Sequence, residues 1–164
     1  MKSKKIFEWF LLYCAIFILS GCLFHRPAFY PPQVLMKNGV PCFSVTNNRE
    51  ARATPHEISV IDVISVNNNN YKLIWNRTFP PNPPIMTLSP YECLSYGAGT
   101  EDAPKLLKGF RYKVFMNSYL NGNNRRYHAY FCLYQNDDGE TEIHHVEWSN
   151  KLKGFDWRIC EKYD

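Results

Sequence analysis

His144 and His145, with Glu140 and Glu142 just before them, are the side chains whose types most readily suggest chemistry. Imidazoles and carboxylates at short spacing can hold a divalent metal. In an extended chain, however, neighbours point to opposite faces, so adjacent histidines do not readily share one ion. Glu140, Glu142 and His144 do share a face, with Asp138 joining if the turn allows, and the expected reading is a solvated strand face. His56-Glu57 opens a strand beside a loop and reads as polar surface. Ser89 lacks the G-x-S-x-G setting of a nucleophile elbow. The chain has no P-loop, no dinucleotide fingerprint and no H-E-x-x-H. The expectation is a protein that is not an enzyme, with no catalytic residue, no metal and no cofactor.

The first 22 residues carry the most specific pattern. Met1 to Lys5 is a short basic segment, and Ile6 to Leu19 is an apolar run interrupted by Glu8. Leu19-Ser20-Gly21-Cys22 closes it. A basic start, a short apolar stretch and small residues before a cut describe a secretory signal peptide. The run from Trp9 to Leu19 is shorter than the ~20 residues a membrane span needs. The closing tetrad resembles the lipobox of bacterial lipoproteins. That resemblance implies cleavage after Gly21 and acylation of Cys22, so residues 1–21 are expected as a lipoprotein signal peptide and 22–32 as a lipidated tether. It also implies a periplasmic protein held on a membrane by its lipid anchor. Leu23, where enterobacterial lipoproteins of the inner membrane carry Asp, points to the inner leaflet of the outer membrane.

Cys14 leaves with such a leader and Cys22 goes to lipid, so Cys42, Cys93, Cys132 and Cys160 remain. Four cysteines in an oxidising compartment suggest two disulfides, and three pairings are possible. No C-x-x-C pair points to metal. The expected bridge joins the strand residues Cys42 and Cys132, which leaves Cys93 for Cys160.

These residues must be positioned by strands. Glu57–Val66 has six β-branched residues, and Phe110–Tyr119 and Arg126–Tyr134 alternate apolar and polar positions. Asn38-Gly39, Asn121-Gly122 and Asp138-Gly139 are hairpin dipeptides between such runs. Further strands are expected at Gln33–Lys37, Val40–Thr46, Tyr71–Arg77, Ile85–Leu88, Tyr91–Tyr96 and Thr141–Trp148. The prolines of Phe79–Pro84 exclude a central strand there. No amphipathic helix of useful length follows the leader. About eight short strands in roughly 115 residues predict an all-β, two-sheet antiparallel sandwich over residues 33–148. A C-terminal tail, 149–164, follows it. A small barrel is the competing architecture.

Leu107-Lys108-Gly109-Phe110-Arg111-Tyr112 resembles the corner of fibronectin-type domains. The resemblance implies an immunoglobulin/fibronectin-like sandwich in which the Tyr112 hydroxyl bonds the corner's backbone. A wider resemblance rests on Phe29-Tyr30-Pro31, on the run from Lys37 to Val45, on Leu88 to Gly97 and on Arg125 to Leu133. With the lipobox, these are similar to a family of small enterobacterial periplasmic lipoproteins described as type VI secretion immunity proteins. The resemblance spans about residues 19 to 146 and transfers no binding residues. It implies a protein toxin, a secreted effector, as partner and neutralisation of that toxin as function. The alternatives are a structural lipoprotein of a secretion or envelope complex, or a lysozyme inhibitor. Loops Asn47–Pro55, Asn67–Asn70, Phe79–Pro84 and Gly97–Pro104 are the candidate contacts.

Net charge is +4, and without Lys2, Lys4, Lys5 and Glu8 it falls to +2. That is too weak and dispersed for nucleic-acid binding. Arg125-Arg126 and Lys105-Lys108-Arg111 read as solvated edges, or as surfaces for an acidic partner. Aromatics reach 16%. Tyr127 and Phe131 alternate with Tyr130 and Tyr134, so both faces of one strand carry rings. The tail, with Trp157 and Cys160, is expected to cover a sheet edge or to offer an interface.

Overall fold

The computed structural model describes residues 29–67, 70–80, 86–100 and 102–161. The signal peptide, Cys22 and most of the tether lie outside the described residues, as do Asn68, Asn69 and 81–85.

Hydrophobic alternation places β2 (Gln33–Lys37), β3 (Val40–Ser44) and β7 (Leu94–Ser95) in one antiparallel sheet, in the order β2-β3-β7. The larger sheet contains β4 (His56–Asn67), β5 (Asn70–Thr78), β8 (Arg111–Leu120) and β9 (Asn123–Gln135). Its order, starting from β1 (Phe29–Tyr30), is β1-β9-β8-β4-β5. The two-residue strand β6 (Thr87–Leu88) extends it beside β4, and β10 (Thr141–Val146) beside β9. β1 (Phe29–Tyr30) pairs in parallel with β9, Phe29 opposite Arg126, so these residues of the expected tether are already sheet.

The sheets meet through their apolar faces, and the fold is an all-β sandwich. Phe43 of β3 lies 6.2 Å from Trp75 and 6.0 Å from Phe131 between ring centroids. Val34, Ile61, Val63, Val114 and Met116 complete this core. Each such side chain contributes roughly 1.5–3 kcal/mol through its removal from water. The predicted hairpin dipeptides are turns: Asn38 and Gly39 have φ of 53° and 76°, and Asn121 and Gly122 have 50° and 77°. Both residues of each pair are left-handed, as a two-residue turn matched to strand twist requires.

Further expectations change: of the expected strand Tyr91–Tyr96 only Leu94–Ser95 is strand. The polar loop Asn47–Pro55 contains a short helix, α1 (Arg49–Ala53), because the Asn48 side chain caps it by accepting from the Ala51 N–H at 2.8 Å. The disulfides are Cys42–Cys93 and Cys132–Cys160, not Cys42–Cys132 with Cys93–Cys160. Phe43 on one strand and Phe131 on the other fill the core, so their neighbours Cys42 and Cys132 project to opposite outer faces and do not meet. Finally, the tail covers a sheet face, not an edge. Strands β11 (Trp148–Ser149) and β12 (Gly154–Phe155) and helix α2 (Arg158–Glu161) bring Phe155 and Trp157 over Tyr130, at 4.0 and 5.9 Å. That cover explains the second aromatic face of β9.

Candidate functional site

A concavity lies near the end of β9. A cleft of about 910 Å³ opens between the Asn38-Gly39 turn, the described residues of 96–108 and the β9–β10 end. Leu106, Leu133 and Tyr96 form its buried depth. Val40 and Leu107 stand at its mouth, 38% and 50% exposed.

Its walls are braced by polar groups that act away from the opening. The Tyr112 hydroxyl accepts a hydrogen bond from the Leu107 N–H at 2.8 Å, the corner contact expected of this residue. Burial raises its pKa, so the hydroxyl stays protonated. The Tyr96 hydroxyl donates to the Pro104 carbonyl at 2.7 Å, and burial pushes its pKa up to about 12. Gly109 N–H donates to the Leu133 carbonyl at 3.0 Å. The Cys42–Cys93 bridge fastens β3 to the segment that carries Tyr96. On the far side, Trp75 Nε1 donates to Thr100 at 2.9 Å and Arg77 to the Ala98 carbonyl at 2.9 Å.

Among the described lining residues the charges are Lys105 and Lys108, both exposed and in no ion pair with a described residue. Of the other predicted cations, Arg126 is exposed at the remote end of β9 and Arg111 and Arg125 are paired. Arg111 pairs with Glu161 and lies over Trp157, and Arg125 pairs with Glu50 at 3.0 Å and donates to Tyr30 at 3.1 Å.

The opposite end of the sandwich holds a buried polar cluster that the sequence did not reveal. His56, expected as surface, is 2% exposed. Its Nδ1 lies 2.9 Å from the Tyr127 hydroxyl and 3.1 Å from Ser118 Oγ. Burial lowers the His56 pKa; Glu50 acts against this and Arg125 with it. A serine beside an imidazole resembles a nucleophile and its base. Ser118, however, is fully buried, so no substrate atom reaches the hydroxyl. The physical cause of the misreading is a register shift between Ile58 and Val60. It turns His56 and Ile58 inward on one phase and Ile61 and Val63 on the other. Two inward phases along one strand are the signal that could have exposed it.

The histidine–carboxylate pattern of β10 does not converge. Glu142 accepts from Tyr134 at 2.5 Å and Asn136 at 2.7 Å, while His145 Nε2 meets the Val34 carbonyl at 3.0 Å. No group of three His, Cys, Asp or Glu that could hold a metal occurs among the described residues. The four candidate loops also divide. Asn67, Asn70 and the described residues of 97–104 lie at the cleft end, and 47–55 and Phe79 at the His56 end, while 68, 69 and 81–84 lie outside the described residues.

No protein-family model, curated protein or solved structure matches the chain.

Proposed function

We propose that this protein is a lipid-anchored periplasmic immunity protein that binds and neutralises a type VI secretion toxin. The observation that carries the reading is the braced cleft, an apolar concavity with cations at its mouth on a rigid, doubly bridged scaffold. Pre-organised walls suit tight capture, because little ordering remains to be done on binding. The Leu19 to Cys22 tetrad supports the anchor, with Cys22 acylated. Phe29 enters beside Arg126, at the end of β9 remote from the cleft. An anchored chain would therefore present the cleft away from its membrane. The same reading takes the sandwich as immunoglobulin-like, supported by β2-β3-β7 facing β5-β4-β8-β9 and by the Tyr112 corner.

The test is growth of a sensitive strain with the candidate toxin encoded beside this gene delivered to its periplasm. Rescue by the exported protein, and none by a leaderless copy confined to the cytoplasm, is the expected result. Failure of the exported, folded protein to rescue would overturn the reading, and impaired secretion on deletion would favour a structural lipoprotein.

A further inference from the structure

We infer that the cleft is a docking site for an acidic peptide segment with an apolar tip; on the immunity reading above, that segment belongs to the toxin. Three observations carry this. Leu106 and Leu133 give the cleft an apolar depth, while Val40 and Leu107 leave apolar surface exposed around its mouth. Exposed apolar side chains rimming a concavity are what a partner covers. A volume of about 910 Å³ admits several side chains at once.

The charge at the mouth selects the flanks of the segment. Lys105 and Lys108 are exposed and free of any described carboxylate, and no acidic residue is among the described lining. The described acids nearest the lining in sequence, Asp102, Glu140 and Glu142, are not part of it, nor are Asp137 and Asp138. Lysine ammonium groups are mobile point charges, so they favour carboxylates near the mouth without demanding one geometry. A basic segment would meet like charge and lose the apolar contact as well.

Position supplies the third observation. Arg126, beside which the chain enters, and Leu133 in the cleft are seven residues apart on β9, roughly 24 Å at strand rise. The opening is thus separated from the entry of the chain and from the sealed His56 cluster.

The test uses the mature exported chain with both disulfides formed. Two capped pentapeptides are titrated, Glu-Glu-Leu-Phe-Glu and Lys-Lys-Leu-Phe-Lys, while backbone amide shifts are followed. The acidic peptide should move the amides of Val40, Lys105, Leu107 and Lys108 and leave those of His56 and Arg125 in place. The double variant K105E/K108E should bind it about tenfold more weakly and prefer the basic peptide. K105Q/K108Q, with the charge removed and not reversed, should fall between. Both positions are exposed, so unchanged melting temperatures check folding. No shifts at the cleft, or equal binding of the two peptides, would overturn the docking site. Toxin protection is scored in parallel. Protection by wild type that K105E/K108E retains in full would overturn the assignment of the segment to the toxin. Peptide preference without wild-type protection would overturn the immunity reading and leave the docking site standing.

Discussion

At the cleft end, buried tyrosines send their hydroxyls outward to loop backbone, and apolar surface is left open between the loops they hold. At the other end the polar groups turn inward. His56 Nδ1 meets both the Tyr127 hydroxyl and Ser118 Oγ, while its Nε2 is buried with no partner among the described residues, and Arg125 ties Glu50 and Tyr30 across the outside. Strands β8 and β9 reach both ends, through Tyr112 and Leu133 at one and through Ser118 and Tyr127 at the other. The difference comes from where hydrogen-bonding capacity is spent: on shaping a rim at one end, on filling the core at the other. A concavity suited to a partner survives where the hydroxyls brace its walls from behind.

Breaking the bridges should have the largest effect. The Cys42–Cys93 bridge spans 51 residues and the Cys132–Cys160 bridge 28. By loop entropy their removal should cost about 4 and 3.5 kcal/mol. The consequences should differ by region. C42A/C93A should loosen the cleft and speed hydrogen exchange at Leu107, whereas C132A/C160A should release the tail and leave Leu107 protected. Urea unfolding and exchange rates check both. Equal exchange at Leu107 in the two variants would mean that the bridge does not brace the cleft.

Tyr112→Phe keeps the ring in the core and removes the partner of the Leu107 N–H. The expected loss is about 1–2 kcal/mol by urea denaturation. A tyrosine acting only as core filler would lose almost nothing.

The His56 end should respond to acid. Burial holds the folded His56 pKa below its ordinary value, so the unfolded chain takes up the proton first. Stability is full above about pH 6.5 and falls as pH drops from there toward the folded pKa. His128 and His144 are lowered for the same leading reason, so H56N should flatten the slope between pH 7 and 5 without abolishing it. Urea midpoints at several pH values check this. The Tyr112 corner should show no such dependence in that window. The smallest effect is expected for E50Q, which breaks the half-exposed pair with Arg125 and should cost at most about 0.5 kcal/mol.

Much of the sandwich was legible locally. Alternation in 110–119 and 126–134 named the two central strands, Asn121-Gly122 named the turn between them and Asn38-Gly39 that between β2 and β3, because strand phase and positive φ are properties of neighbouring residues. Tyr112 was legible through the resemblance of its surroundings to the fibronectin-type corner, and its partner is five residues away. The polar segment 47–55 concealed α1, whose Asn48 cap was present but whose five residues show no apolar period. His56 was misplaced because a bulge shifts phase without leaving a distinctive residue. The cleft was invisible as a unit. Its residues come from three separated stretches, and only Gly97–Pro104 among the loops had been singled out for it.

By itself, then, the sequence determined strands, turns, the corner tyrosine and a cysteine number that permits two bridges. Strands and turns follow from backbone sterics and the phase of neighbouring residues, the corner tyrosine from a local resemblance and the two bridges from cysteine number. Tertiary structure alone decided that Cys42 meets Cys93 and Cys132 meets Cys160, that His56 is core, and that Lys105 and Lys108 flank an apolar opening. Those outcomes depend on which outer face each strand presents once the two sheets have closed, and no local period encodes that.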